Sequence, residues 1–304
     1  MEQKVPSLES TLKSTDTEEI IDIYFYRPIG YRFALFFQKI GVTPNAVTIA
    51  SIFIGIASGV CFYFDNLWIT GLGIFFLVWA NAFDSTDGQL ARMTKNFSPF
   101  GRALDGFAGD LWFISIYAAI CFRLMPTFGF WIWILAAVAG FFHSKQASMA
   151  DYYRNIHLLF LKGKSGSELD NSEELTERYE KETFRNNWFN KIYLYFYRSY
   201  TEGQESWTPG FQKMFKALKN KFGENFPESF RNDFRKKSLP LMKWTNVLSF
   251  NTRAIVLFIS MLIKLPWIYF VFELTVLNII LVYMVFTHEK NCKEFSKQIE
   301  AGKY

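Results

Sequence analysis

One stretch of this chain gathers the residue types of a metal site: Asp84-Ser85-Thr86-Asp87-Gly88-Gln89-Leu90-Ala91-Arg92, followed by Gly101 and Asp105. On a helix Asp87, Gly88 and Ala91 stand three, four and seven positions beyond Asp84, along one side. Asp84 and Asp87 can therefore reach one ion, and the small Gly88 and Ala91 let a ligand or a second helix approach the backbone. Gly101, Asp105 and Gly109 repeat at four-residue spacing and present another carboxylate between two small residues. Carboxylates without Cys or His beside them suit a hard cation, Mg²⁺ or Mn²⁺. Arg92, two turns beyond Asp84, is spaced to grip phosphate through a bidentate guanidinium. The chemistry this set suits is attack on a diphosphate, with metal neutralising the leaving group and aligning the attack. Polar capping of two helix ends accounts for one or two such acids, not for the ordered set.

The elements that must position these residues are membrane helices. The chain has 304 residues, half of them hydrophobic, with 35 Phe, 15 Tyr and 9 Trp, a loading that points away from a soluble enzyme. Apolar runs at 46–64, 67–83, 105–122, 127–142, 247–263 and 265–287 approach the roughly 20 residues of a spanning helix. Arg253 interrupts the fifth run and Glu273 sits in the sixth. The connection near Asp65-Asn66 has no Lys or Arg, the next holds Arg92, Lys95 and Arg102, and Arg123 and Lys264 stand alone in theirs. Six spans with both termini in the cytoplasm satisfy this bias. The carboxylate run then lies at the cytoplasmic edge, where buried acids are costly and retained for a purpose.

The spacing predicts an all-α, polytopic membrane protein with six transmembrane helices, an N-terminal interfacial amphipathic helix and a cytoplasmic helical insertion. Residues 1–17 are polar, expected to be mobile, and carry no cleavable signal peptide. Residues 18–40 mix charge with bulky apolar groups and read as a segment on the membrane surface, broken near Pro28-Ile29-Gly30. Pro44 suits a first helical turn with Thr43 as its cap. Residues 149–244 form a polar and aromatic insertion between the fourth and fifth spans. Within it 165–182 is acidic, 187–200 reads as an interfacial helix, and 211–222 alternates Lys with Phe, Met and Leu. Residues 245–288 carry the last two spans and 289–304 a cytoplasmic tail. The net charge of +5 mixes basic with acidic residues, which argues against nucleic acid. Arg235-Lys236-Lys237 reads equally as solvated charge or as a contact for anionic headgroups. Cys61, Cys121 and Cys292 form no disulfide or metal pattern.

Asp84-x2-Asp87-Gly88-x2-Ala91-Arg92-x8-Gly101-x3-Asp105 resembles the signature of the CDP-alcohol phosphatidyltransferase (class I) family at every position but its last. The similarity covers residues 18–148 and the last two spans and leaves the insertion outside. It implies a six-span fold, a divalent-metal site, a homodimer, and displacement of CMP from a CDP-linked lipid donor, usually CDP-diacylglycerol, by an alcohol. By the resemblance Asp84, Asp87 and Asp105 are metal ligands. Asp84, Asp87, Gly88, Ala91, Arg92 and Gly101 shape the CDP pocket, and Asn45 is a further contact near the diphosphate. The family's pattern ends in a fourth Asp, which would hold metal and act as general base; here that place is Gly109, with Asp110 next to it. In a regular helix Gly109 lies about 40° round from Asp105 and Asp110 about 140°. A π-bulge would bring Asp110 beneath Asp105, and Asp110 is read as the fourth ligand and base on that condition. The alternatives are a base from elsewhere, His143 among them, or a reduced or lost transferase activity.

Lys145, Arg154 and Arg253 are candidates for binding a phosphate on the acceptor, which would favour inositol phosphate or glycerol phosphate over serine or choline. Glu273 reads as a buried polar contact or an interface residue in the outer half. The functional reading is a phospholipid-synthesising transferase of the bacterial inner membrane. One alternative is a CDP-choline or CDP-ethanolamine type phosphotransferase acting on diacylglycerol. Another, of a different class, is a non-catalytic nucleotide-lipid-binding or scaffold relative, which Gly109 favours. A transporter is disfavoured because its site would lie near the midplane.

Overall fold

The helices begin and end where local chemistry sets them. Thr43 is extended, its hydroxyl oxygen accepts from the Ala46 N–H at 3.3 Å, and Pro44 fills a first-turn place that needs no donor. This starts α2 (Pro44–Tyr63). The Asn66 side-chain oxygen accepts from Trp68 N–H at 2.9 Å and opens α3 (Leu67–Thr94). Ser98 does the same for Gly101 N–H at 2.9 Å and opens α4 (Pro99–Phe128). Gly129, with φ of 61°, closes α4 before α5 (Trp131–Lys162). Upstream, a π-helical turn at Asp22–Tyr26 leads into α1 (Arg27–Ile40).

The computed structural model describes Leu8 and residues 14–304, and among these it is all-helical, without a strand. Most of the stretch expected to be mobile, 1–17, lies outside the described residues; Ser14 and Thr17, within them, are buried. Five helices are long and apolar enough to cross a membrane: Pro44–Tyr63, Leu67–Thr94, Phe100–Phe128, Glu228–Leu262 and Trp267–Glu300. The expected fourth run, 127–142, is not among them. Gly129 divides it, and the apolar part of α5 ends at Phe142, after about 18 Å of helix against a hydrocarbon core of about 30 Å.

The described residues up to Ser144, with Asn251–Thr275, form one compact unit. Its helices pack through small residues: Gly55 faces the Trp112 indole and Gly59 faces Ser115, both so closely that a Cβ would collide. Such contacts let α2 and α4 approach at backbone distance, the way helices associate where lipid removes the hydrophobic drive. Ile49, Phe53, Phe75, Ile114 and Phe122 point outward and are exposed. The inner face of α1 lies on α3, with Gly30 against the backbone of Ser85 and Thr86 and the Phe33 ring 5.5 Å from Trp79. The unit also holds α10 (Phe250–Leu262) and α11 (Trp267–Phe272), which a π-helical turn at Glu273–Leu277 follows.

The second unit comprises Lys145–Phe250 and Val276–Tyr304. It contains α6 (Ser172–Lys181), α7 (Phe184–Ser206), α8 (Pro209–Phe222), α9 (Glu228–Val247) and α12 (Asn278–Glu300). Its core is aromatic: Phe160 and Phe234 rings lie 4.2 Å apart, and Phe230 and Phe295 rings 5.3 Å. That core draws residues 289–304, expected as a tail, into the unit, with Cys292, Phe295 and Ile299 buried.

Candidate active site

α3 and α4 bring three carboxylates together. Asp84 and Asp87 stand one turn apart on α3, and Asp105 comes from the second turn of α4. One ligand oxygen from each lies within 4.8 Å of the others. Asp87 is buried, Asp84 half-buried and Asp105 exposed, so the group opens on one side. Like charges at this spacing repel unless a cation or proton lies among them. An all-oxygen donor set of this kind fits a hard divalent cation rather than a thiophilic one.

α2 supplies the support. Thr48, itself buried, donates its hydroxyl to Asp87 Oδ2 at 2.5 Å and so fixes the innermost carboxylate. Asn45 lies one turn earlier on the same helix, and its Oδ1 sits where a Cβ on Gly101 would come within 2.6 Å. Gly101 is therefore a close-approach glycine that lets the start of α4 meet α2. A Cβ on Gly88 would stand 3.5 Å from the Arg92 guanidinium, so Arg92 folds back over its own helix at that point. Ala91 is half-buried beside it. On the opposite face of α3, Gln89 Nε2 donates to the Arg27 carbonyl at 3.1 Å, and Arg27 forks onto Glu18 with both contacts at 3.1 Å. The N-terminal segment thus braces the helix that carries Asp84 and Asp87.

Asp110 does not join this group. α4 is α-helical throughout, without the bulge that would rotate Asp110 beneath Asp105, and Asp110 is exposed. A Cβ on Gly109 or on Gly106 would meet nothing within 4 Å.

The structure also relocates Arg253. It is 1 % exposed, and its Nη1 donates to Glu273 Oε1 at 2.5 Å. Tyr269 donates to the same oxygen at 2.7 Å, Tyr117 donates to Oε2, and His143 Nδ1 lies 2.9 Å from Oε1. Tyr117 is twelve residues beyond Asp105 on α4, about 18 Å along the axis. Arg253 and His143 are thus held at a different depth from the aspartates, because a buried guanidinium needs a counter-charge and Glu273 supplies it. Glu273, expected as an isolated contact in the outer half, is the centre of this network. In the second unit, Arg154 Nη2 donates to Asn246 Oδ1 at 3.2 Å and to Ser249 Oγ at 2.9 Å, and Lys145 Nζ lies against Gly203.

A second trio with ligating atoms within 4.8 Å, His288, Glu289 and Cys292, is fully buried. Both Glu289 oxygens accept backbone N–H groups at the start of α8, from Gly210 at 2.5 Å and Phe211 at 3.2 Å. Cys292 Sγ is 3.7 Å from one His288 ring nitrogen and 3.9 Å from the other, so it lies along neither lone pair. The trio works as a helix cap and packing cluster.

A membrane helix pair that converges three aspartates on an open, cation-fitted cleft defines a class of phosphoryl-transfer site. Residues 41–151 match the family CDP-alcohol phosphatidyltransferase, and the chain carries that domain over this stretch, with α2, α3, α4 and all three aspartates inside it. No curated protein and no solved structure matches the chain.

Proposed function

We propose that this protein is a multi-pass membrane transferase that moves a phosphatidyl group from a CDP-linked lipid, CDP-diacylglycerol, to an alcohol and releases CMP. The single observation that carries the reading is the convergence of Asp84, Asp87 and Asp105 within the matched domain. These residues would hold Mg²⁺ or Mn²⁺, which supplies charge neutralisation on the diphosphate and on departing CMP. Gly88, Ala91, Arg92, Gly101 and Asn45 shape the pocket for CDP, and Thr48 orients Asp87. The acceptor hydroxyl attacks the lipid-side phosphorus, the bond from that phosphorus to the CMP oxygen breaks, and CMP leaves with the electron pair. With α4 regular, Asp110 stays about 140° round from Asp105, so the acceptor's proton is assigned to Asp105, with Asp110 the second acid on the same helix. Arg253 is engaged by Glu273, so a phosphorylated polyol as acceptor rests on Lys145 and Arg154 alone.

In this reading the first part of α5 completes a six-span bundle, α1 lies at the membrane surface and both termini face the cytoplasm of a bacterial inner membrane, in a homodimer. The test is CMP release from CDP-diacylglycerol with Mg²⁺ or Mn²⁺, across inositol phosphate, glycerol phosphate, serine and choline. Turnover only with uncharged amino-alcohols rejects the phosphorylated acceptor. Turnover only of CDP-choline or CDP-ethanolamine with diacylglycerol reverses the direction of transfer. Gly109 favours one other reading, a non-catalytic nucleotide-lipid binder; CDP binding without CMP release from any donor would establish it.

A further inference from the structure

The insertion carries a surface that the transferase reading does not use. α7 lies outside the matched domain. Its helix breaks at Asn187, whose φ of −154° and ψ of 76° are non-helical. The Asn187 side-chain oxygen then accepts from Asn190 N–H at 3.1 Å and caps the helix anew. From there one face turns inward. Lys191 Nζ donates to the Tyr179 and Glu182 carbonyls at 2.9 and 2.6 Å, and Leu194 is buried. Tyr197 donates to Asp170 at 2.7 Å, and the Arg198 guanidinium sits 5.3 Å from the Tyr179 ring. The opposite face holds Trp188, Ile192, Tyr195 and Phe196, at 62, 40, 50 and 58 % exposure. Their spacing of four, three and one residues is a single helical stripe.

Charge and composition identify what meets this stripe. From 185 to 201 the chain has Arg185, Lys191 and Arg198 and no acid, although the neighbouring α6 carries Glu173, Glu174, Glu177 and Glu180. A one-sign helix with Trp, Tyr and Phe on one face suits a layer of anionic headgroups over acyl chains. A second copy docked about a two-fold axis would set the same basic residues against themselves. The end of α7 is tied beside α5: Gln204 Nε2 donates to the Ser148 carbonyl at 2.9 Å, and Ser148 follows closely in sequence on the apolar run that ends at Phe142. We propose that the Trp188–Phe196 face of α7 is a lipid-surface anchor, seated in the headgroup layer of an anionic bilayer. It stands independently of the transferase reading.

The experiment places a nitroxide at Ile192→Cys, or separately at Phe196→Cys, in the full chain; native Cys61, Cys121 and Cys292 are buried. The protein is reconstituted in mixed phosphatidylcholine and phosphatidylglycerol vesicles, with the exposed Lys216→Cys on α8 as an aqueous reference. Collisions with oxygen and with a water-soluble nickel chelate are compared. The expected result is oxygen-dominated relaxation at both α7 positions, at a depth of about 5–10 Å below the headgroup boundary, and nickel-dominated relaxation at 216. Nickel access at 192 and 196 equal to that at 216 overturns the proposal. So does exclusion of both reagents with dipolar broadening between labels, which would mean that a second copy covers the stripe.

Discussion

Two buried carboxylate centres sit in the same unit of this protein and are built on opposite plans. Glu273 is a single acid surrounded by donors, with Arg253, Tyr269 and Tyr117 all donating to it and His143 beside it. Asp84, Asp87 and Asp105 are three acids brought within 4.8 Å of one another. The first plan balances its charge within the protein and ties α4, α5, α10 and the turn after α11 together. The second concentrates one sign, which a fold tolerates where a cation is to be held. The two centres also differ in reach, since Asp105 is exposed and Glu273 is wholly buried. Clustered acids of one sign that open to the surface mark chemistry, and a saturated acid marks architecture.

Breaking each centre should produce different losses. Asp87→Asn should give the largest effect on function. It should reduce cation-dependent CMP release by about 10³-fold or more, since the metal supplies several kcal/mol of charge stabilisation, while the melting temperature holds or rises as like-charge repulsion is relieved. Glu273→Ala should do the reverse. Leaving Arg253 buried without its counter-charge costs about 3–5 kcal/mol, read as a large drop in thermal stability in detergent. The double variant Arg253→Met with Glu273→Leu should recover much of that stability, because an apolar pair of similar volume can replace a buried ion pair. If Glu273→Ala leaves the melting temperature unchanged and abolishes Mn²⁺ binding, the division between the two centres fails.

Thr48→Val sharpens the comparison from the supporting side. It removes the hydroxyl that holds Asp87 while keeping shape, and should weaken Mn²⁺ affinity by about 10–100-fold, as loss of an outer partner does. Titration of Mn²⁺ into the purified protein reads this directly.

Thr48 also shows what was legible in the sequence. The aspartates, their side of the helix and the cation chemistry followed from spacing, because α3 and the start of α4 are regular helices and the period of 3.6 carries over unchanged. Asn45, Thr48 and Ser51 recur at intervals of three on an otherwise apolar helix, a stripe visible in the sequence, but nothing local says which partner they meet. The pairing of Arg253 with Glu273 was hidden for the same reason. It links helices whose packing is set by the fold, and each residue alone reads as an isolated intramembrane charge. The length of the apolar part of α5 depended on where Gly129 ends the preceding helix. The insertion, read as a string of surface segments, closed around an aromatic core whose members lie up to 135 positions apart, from Phe160 to Phe295.

The smallest expected effect is the most discriminating. Position 109 lies about 40° round from Asp105 and one turn further along α4, and a side chain there would meet no atom within 4 Å of its Cβ. Gly109→Asp should therefore fold, and replacing a helix-interior glycine adds up to about 1 kcal/mol of stability from propensity, offset in part by the added like charge. A fourth carboxylate facing the other three should raise Mn²⁺ affinity by about tenfold, the equivalent of 1.4 kcal/mol. Asp110→Asn in the same background should leave that gain intact, since Asp110 stands on another side of a regular α4. If Asp110→Asn instead removes cation affinity in the natural chain, α4 must unwind locally when cation binds, and the bulge at Gly109 would be a property of the loaded site. If Gly109→Asp raises affinity and CMP release together, the three-carboxylate group is a working site one ligand short. If affinity rises with no CMP release in either form, the group binds cation and nucleotide without turnover.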